Sequence, residues 1–251
     1  MHRWSGQQLR RRPCLSDAHR SAVAASVPRV SIIIPAVNEA DSLARTLPAL
    51  AGLRHAGHEV VVVDGGSDDD TRECARPLAD RVLVTGRGRA EQMNAGAAAA
   101  TGDVLLFLHA DSLLPADADL AIAGALRESC WGRFDVRLWG REWSFRIIEM
   151  LMNLRSRVTG IATGDQAIFV ERETFASVGG YPDIALMEDV ALSRRLRAIA
   201  RPACLRQRVI TSTRRWRSNG IARTVVLMWR LRLAFALGAD PRRLARRYER
   251  G

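Results

Sequence analysis

Polar side chains suited to a metal or nucleotide site follow three apolar segments of this chain. Asn38 and Glu39 come after the first of these segments, Asp64 after the second and Asp111 after the third. A carboxylate such as that of Asp111 is a ligand that hard divalent cations prefer. Asp111 can equally well cap the turn or helix that follows, as aspartate often does. The position of Asp111 in the fold is needed to distinguish the metal-ligand role from the capping role.

The apolar segments predict a parallel β-sheet. Val104–Leu108 is apolar without interruption, as expected of a strand that is covered on both faces. Residues 29–35, 59–63 and 81–84 also read as strands, and helix-like segments separate them. Strands that alternate with helices at intervals of roughly 25 residues indicate an α/β fold with helices on both faces of the sheet. Ligands of such sheets bind outside the carboxyl ends of the strands, so the polar residues above should meet there.

Length and composition fit one sizeable domain with appendages. The chain has 251 residues, of which 47% are hydrophobic, and its net charge is +11 with arginine as the only strongly basic residue type. A basic surface favours anionic partners such as nucleotides, phospholipids or nucleic acid. The four cysteines, Cys14, Cys74, Cys130 and Cys204, are far apart and lack zinc-ligand spacing. We therefore expect reduced thiols in a cytoplasmic protein.

The chain is expected to divide into three parts. Residues 1–28 are polar and arginine-rich, which predicts a disordered basic leader or a start codon placed upstream of the true one. Residues 29–216 are expected to form the folded domain. Residues 217–251 are expected to form C-terminal amphipathic helices that pack on that domain or on a membrane surface.

Two apolar segments beyond Asp111 predict helices. In residues 143–158 the apolar side chains fall on one helical face, so we expect that face to be packed and the opposite, polar face to be exposed. Ile221–Leu237 is apolar but contains Arg223, Arg230 and Arg232, which makes it a poor transmembrane span. Burial against the domain is the first interpretation of this segment, and contact with the inner face of the cell membrane is the alternative.

The order of several motifs resembles glycosyltransferase family 2, whose members have the GT-A fold. The resemblance covers residues 30–216 and rests on the segments 31–39 (SIIIPAVNE), 62–69 (VVDGGSDD), 108–111 (LHAD), 178–181 (VGGY) and 188–189 (ED). Residues 88–96 (GRAEQMNAG) and 163–166 (TGDQ) resemble a small bacterial branch of that family. The implied fold is a Rossmann-like, mostly parallel sheet flanked by helices, with a C-terminal helical appendage.

The resemblance implies transfer of a sugar from a nucleotide diphosphate to an acceptor hydroxyl, with inversion. In the family the last Asp of a D-x-D-like motif holds Mg²⁺ or Mn²⁺, and that position is Asp111 here. The first position of the motif is His109 instead of Asp, which removes one negative charge. A bound divalent cation would act as a Lewis acid on the leaving diphosphate.

The resemblance also assigns residues to the donor. Pro35, Ala36, Asn38, Glu39 and Asp64 would bind the base and ribose of the nucleotide-sugar donor, most simply a UDP-sugar, with His109 and Asp111 beside them. Asp64 could instead serve only the turn at Gly65-Gly66. Arg89 could reach a diphosphate oxygen, although an arginine in a loop is often only solvated.

The catalytic base is expected from the Glu188-Asp189 pair. By resemblance Asp189 is the base and Glu188 its companion, while Asp165 and Gln166 would line the acceptor side. Both carboxylates of the pair could also simply stabilise the N-terminus of a helix. Residues 212–216 resemble the Q-x-x-R-W box of processive members with Ser212 in place of Gln, and we expect single transfer, with a lipid-like acceptor as one option.

Two other functions remain open from the residues alone. A nucleotidyltransferase shares the α/β sheet and a metal-binding Asp, but it usually has a glycine-rich phosphate loop after the first strand, where this chain has residues 35–39 (PAVNE). A basic nucleic-acid-binding protein would fit the charge, but the arginines are dispersed and no recognition module is evident. We therefore expect no nucleic-acid partner.

Overall fold

The computed structural model describes residues 27–249, and the greater part of the expected basic leader lies outside this range. The strands are β1 (Val30–Ala36), β2 (Glu59–Asp64), β3 (Arg81–Val84), β4 (Val104–Phe107), β5 (Ser112–Leu113), β6 (Trp131–Leu138), β7 (Ile168–Glu171) and β8 (Ala203–Thr211). The helices are α1 (Ala40–Ala49), α2 (Ala51–His55), α3 (Thr71–Ala75), α4 (Arg89–Ala99), α5 (Ala118–Ala125), α6 (Trp143–Thr159), α7 (Arg172–Ser177), α8 (Glu188–Ile199), α9 (Arg214–Asn219), α10 (Ile221–Ala236) and α11 (Pro241–Glu249).

The strands form one mixed sheet in the order β3-β2-β1-β4-β7-β6-β8-β5. The first four strands in this order are parallel, as predicted. The β4–β7, β7–β6 and β8–β5 pairs are antiparallel, and only the β6–β8 pair is parallel in that half. The predicted α/β fold is therefore confirmed, and the parallel pairing is concentrated in its first half.

The central strands are buried on both faces. Ile32, Ile34 and Val62 point to one core layer, and Ile33 and Val63 point to the other. Helix α4 approaches the second layer very closely at Gly96, where an added Cβ would collide with the side chain of Ile33. The alternation of a strand thus explains why these runs are apolar throughout, since neither face is left for water.

The expected orientation of α6 is wrong: its apolar face is exposed and its polar face is packed. The side chains of Trp143, Ile147, Met150, Leu151, Leu154 and Val158 are between 43% and 76% exposed. Glu149 Oε1 accepts a hydrogen bond from the Leu138 N–H at 2.6 Å, and Asn153 exchanges two hydrogen bonds with the backbone of Val136.

The pairing of β6 gives the reason for this inversion. β7 pairs with β6 only at Trp131 and Gly132, so the backbone of β6 beyond these residues needs other partners on that side. Glu149 and Asn153 of α6 supply those partners, and Arg157 pairs with Asp135 of β6 at 2.6 Å. Hydrophobic periodicity locates a helix but does not show which face meets the sheet when the sheet offers polar backbone.

The C-terminal helices α10 and α11 pack on the domain. Leu231 of α10 and Leu244 of α11 are 2% exposed and form a cluster with Met187 and Val190 near the start of α8. Helix α9 spans the expected boundary at residue 216, and the division of the chain there remains a prediction. No helix in the described range 27–249 combines the length and apolar character needed to cross a membrane.

The packing of α10 predicts how far the loss of a buried side chain from this helix destabilises the protein. Leu231→Ala should lower the free energy of unfolding by about 2–5 kcal/mol, because it removes a buried side chain between α10 and α8. Leu233→Ala, on the same helix but 62% exposed, is the matched control and should change it by less than about 0.5 kcal/mol. Urea unfolding monitored by circular dichroism gives both values. Equal stability of the two variants would show that α10 does not fold together with the domain.

Candidate active site

A cavity of about 800 Å³ opens at the carboxyl ends of β1 and β4. Of the predicted site residues, those that line it are Pro35, Ala36, Glu39, Arg89, His109, Asp111, Asp165, Glu188 and Asp189. Asn38, Asp64 and Gln166 lie outside its wall. The structure thus brings most of the predicted site together, from residues as far apart in sequence as 35 and 189.

Asp111 is held in this cavity with little compensating charge. Burial, and next the nearby carboxylate of Glu39, raise the pKa of Asp111, while Arg214 acts in the opposite direction. A raised pKa means that the folded protein disfavours the carboxylate, so a cation beside it would be stabilised. Asp111 lies in the turn between β4 and β5, so the turn role considered from sequence is present, and metal binding by Asp111 remains a prediction.

Arg214 is a site residue that sequence analysis did not assign. Its guanidinium forms a 2.6 Å ion pair with Oε1 of Glu39, whose Oε2 accepts a hydrogen bond from Ser42 at 2.6 Å. Arg214 therefore fixes Glu39 at the rim of the cavity and adds a positive charge near Asp111. The only sequence signal was its place in the R-R-W segment after β8.

The side chains of Asp64 and Asn38 accept hydrogen bonds from the backbone of the turn that follows β2. Asp64 is fully buried, and its carboxylate accepts hydrogen bonds from the N–H groups of Gly66 and Ser67. Asn38 has a left-handed backbone (φ 53°), and its side-chain oxygen accepts a hydrogen bond from the Asp68 N–H at 2.9 Å. The turn role weighed for Asp64 is thus present, and its contact with a nucleotide base remains a prediction.

The side chains of Glu188 and Arg89 lie close together in the cavity wall. The guanidinium of Arg89, at the start of α4, lies 3.8 Å from Oε1 of Glu188 at the start of α8. Burial, followed by the adjacent Asp189, raises the pKa of Glu188 to about 7. Glu188 is therefore a group that gains or loses a proton near neutral pH.

Asp189 is oriented by two backbone N–H groups. Its Oδ2 accepts a hydrogen bond from Gly164 at 2.9 Å and its Oδ1 accepts one from Val190 at 2.7 Å. Met187 precedes the pair with a left-handed backbone (φ 69°), an uncommon conformation for a side chain of this size. This turn sets the direction in which α8 begins, so that both carboxylates reach the cavity.

His109 is a neutral, packed side chain. Its ring lies against Gly164, where an added Cβ would collide with Nε2. Burial, and next the charge of Arg89, lower the pKa of His109 to about 4, and its Nε2 has no hydrogen-bond partner among residues 27–249. His109 therefore adds no charge to the cavity at neutral pH.

Asp165 and Gln166 are adjacent in sequence, but only Asp165 lines the cavity. Asp165 lines the cavity, and its buried Oδ1 lacks a hydrogen-bond partner within the described part of the chain. Gln166 is fully buried and forms a reciprocal capping arrangement with Thr163, so it shapes the loop from behind. Its predicted contact with an acceptor remains a prediction.

The C-terminal helices contribute to the cavity, which the sequence did not indicate. Met228 and Arg232 of α10 and Tyr248 of α11 line it opposite the β-sheet. Arg155 of α6 lies close by, since burial and next the charge of Arg232 lower the pKa of Arg155 to about 10. The expected appendage is thus a wall of the site.

The residues of this cavity could supply only some of the ligands of a divalent cation. Among residues 27–249, no group of three or more His, Cys, Asp or Glu side chains forms a complete metal site. Asp111 is a single carboxylate whose raised pKa favours a cation. Mg²⁺ is commonly held by one or two carboxylates together with phosphate oxygens of a substrate, and the site fits that mode of binding.

Comparison with protein families matches residues 31–176 to the model described as Glycosyl transferase family 2. A Mycobacterium tuberculosis protein described as an uncharacterised glycosyltransferase is 31% identical over 195 residues, which cover 72% of this chain and 73% of the relative. The PGL/p-HBAD biosynthesis glycosyltransferase of Mycobacterium bovis is 33% identical over 170 residues. That match covers 62% of this chain and 64% of the relative's length.

Solved structures show the same fold at low sequence identity. TarS of S. aureus (residues 1–349), in complex with UDP-GlcNAc, has a TM-score of 0.58 and 19% identity, over 73% of this chain and 58% of that one. The mannosyltransferase PcManGT from Pyrobaculum calidifontis, in complex with GDP-Man and Mn²⁺, has a TM-score of 0.56 and 24% identity. That match covers 82% of this chain and 61% of that chain.

The raised pKa of Glu188 predicts how stability depends on pH. A raised pKa means that the protonated form of Glu188 stabilises the fold, fully below about pH 4.5 and progressively less as pH rises through about 7. Glu188→Gln stays neutral, so its free energy of unfolding should fall less between pH 5 and pH 8 than that of the unmodified protein. Urea unfolding at the two pH values measures this, with exposed Glu128→Gln as the control. Parallel pH profiles for the protein and Glu188→Gln would contradict the assignment.

Proposed function

We propose that this chain, which belongs to glycosyltransferase family 2 and has the GT-A fold, is a glycosyltransferase that transfers one sugar, with inversion, from a UDP-sugar to an acceptor hydroxyl. The observation that carries this proposal is that Asp111 and Asp189 line the same cavity. Membership of this family favours a glycosyltransferase over the nucleotidyltransferase and nucleic-acid-binding alternatives.

The donor would occupy the end of the cavity formed by β1 and β4. Pro35, Ala36 and the ion-paired Glu39 offer backbone and carboxylate groups to the nucleotide, and Arg89 offers a cation to the diphosphate. Asp111 would hold Mg²⁺ or Mn²⁺ together with the diphosphate oxygens. That cation would neutralise charge on the leaving diphosphate.

Asp189 would act as the base in a single displacement. The acceptor hydroxyl gives its proton to the carboxylate of Asp189 as its oxygen bonds to the anomeric carbon. The bond from that carbon to the diphosphate oxygen breaks on the opposite face, which inverts the configuration. The N–H groups of Gly164 and Val190 fix the carboxylate in advance, so little reorganisation is needed during the reaction.

The acceptor would enter beside the C-terminal helices. Apolar side chains of Leu186, Trp216 and Met228 line this part of the cavity, and Asp165 and Tyr248 add polar groups. This mixture suits a lipid-like acceptor that presents a hydroxyl, and the wall that α10 and α11 add to the cavity suits transfer of a single sugar. We place the reaction at the inner face of the cell membrane for the same reason.

The role proposed for Asp111 can be tested without an acceptor. Adding UDP and Mn²⁺ at about 100 times the dissociation constant should stabilise the protein by about 2.7 kcal/mol, a shift that is easily seen in thermal unfolding. Asp111→Asn keeps the shape of the side chain and should lose the part of the shift that depends on Mn²⁺. Exposed Asp41→Asn should keep it. An undiminished Mn²⁺-dependent shift in Asp111→Asn would exclude Asp111 as a metal ligand.

The role of Asp189 is tested by separating rate from binding. Asp189→Asn should lower kcat by about 10²–10⁴-fold, because it removes the base while its side-chain oxygen can still accept from Gly164. UDP binding by calorimetry should be nearly unchanged, since the base acts only as the hydroxyl loses its proton. Glu188→Gln should have a smaller effect on kcat. The assay is UDP release with an acceptor found by screening, and an Asp189→Asn variant with full turnover would move the role to another carboxylate.

A further inference from the structure

The exposed apolar side chains of this protein are concentrated on two neighbouring helices. Of the fifteen large apolar residues exposed in the described range, eleven lie on α6, on α10 or directly beside them. They are Trp139, Trp143, Ile147, Met150, Leu151, Leu154 and Val158 on the α6 side, and Val226, Trp229, Leu233 and Leu237 on the α10 side. Isolated exposed apolar residues are normal, but a set this dense marks a binding surface.

The first turns of the two helices meet at a buried cluster. Phe145 and Ile148 of α6 belong to it, and Ile221 and Val225 of α10 pack against it. The exposed residues of α6 repeat at intervals of three and four, as do those of α10, so each set lies on one face of its helix. In α6 this face is opposite the polar face that bonds to β6. In α10 it is turned away from Leu231, which packs on α8. We refer to the exposed faces of the two helices as the α6–α10 surface.

The charges around the α6–α10 surface are basic. Arg141, Arg223 and Arg230 are exposed next to it, and α10 contains no acidic residue. The acidic residues that lie within or against α6 are paired, Glu142 with Arg217 at 2.9 Å, the buried Glu149 with Arg146 at 2.9 Å and Asp135 of β6 with Arg157 at 2.6 Å. The exposed Asp240 lies beyond Leu237 at the far end of α10, so the surface carries more positive than negative charge.

This charge pattern disfavours a second copy of the chain as the partner. A two-fold symmetric dimer buries the same patch on both subunits, so arginines would face arginines with an excess of positive charge between them. An anionic lipid surface supplies the missing negative charge, and its acyl region accepts the apolar side chains. Trp139, Trp143 and Trp229 are 57%, 76% and 70% exposed, and tryptophan is enriched at membrane–water interfaces.

We propose that the α6–α10 surface docks on a bilayer that contains anionic phospholipids, with both helices lying in the plane of the interface. The sequence had suggested such a contact for the C-terminal helix alone, and the inverted orientation of α6 supplies the larger share of the apolar side chains. The docking goes beyond sugar transfer and does not depend on it. With a lipid-like acceptor, as proposed above, it would bring the cavity wall formed by α10 to the membrane surface.

Vesicle flotation tests the docking without donor or acceptor. The full chain should float with vesicles of phosphatidylcholine and phosphatidylglycerol, less with phosphatidylcholine alone, and less in high salt. Trp143→Ser and Leu154→Ser should each weaken binding on the order of tenfold or more, because each removes one apolar anchor. Adding Trp229→Ser to either variant removes a second anchor and should weaken binding further. Leu120→Ser is the matched control, since Leu120 is 60% exposed but lies on α5.

The outcomes separate the possible partners. No flotation, or equal flotation of all variants, would overturn the proposal. A dimer in size-exclusion chromatography that the same variants dissociate would also overturn it, because a second copy would then cover the surface. UDP binding should be unchanged in every variant, so a failure of docking is distinguishable from a failure of the proposed transfer.

Discussion

The parallel register of β1 with its two neighbours is the constraint on which the site depends. Ala36 is aligned with Asp64 of β2, and Ile33 is aligned with Phe107 of β4, so the three strands reach the same edge together. Parallel strands covered on both faces leave their carboxyl ends as the place where polar residues can meet a ligand. Pro35, Ala36 and Glu39 of the cavity wall lie at or just beyond the end of β1, and His109 and Asp111 lie just beyond the end of β4.

Fixed ion pairs determine which carboxylates of the cavity remain available. Arg214 holds Glu39, and Arg89 lies close to Glu188, so these two acidic groups already have cationic neighbours. Asp111 has no ion-pair partner within 4.0 Å in the described range, and Asp189 is held only by backbone N–H groups. Among the described residues, the cavity carboxylates of Asp111, Asp165 and Asp189 thus lack an arginine neighbour within 4.0 Å, in contrast to those of Glu39 and Glu188.

The sequence was sufficient to predict the elements whose formation depends mainly on residues that are neighbours in the chain. Uninterrupted apolar runs located β1, β2 and β4, and the polar residues after β1 and β4 located one wall of the cavity. The orientation of α6 was wrong because it depends on where the pairing of β7 with β6 stops, which is a long-range property. The contributions of Arg214, Met228, Arg232 and Tyr248 were missed for a similar reason, since they depend on how the last helices fold back across the sheet.

The construction of the cavity from separate stretches of chain has an evolutionary consequence. One wall comes from residues 35–111, whereas Met228, Arg232 and Tyr248 come from the last quarter of the chain, beyond the segment 31–176 that matches the family model. Mutations or exchanges in the tail can therefore remodel one wall while the strands that carry the other keep their register. Such an arrangement separates the part of the cavity that depends on strand register from the part that depends on the packing of the last helices.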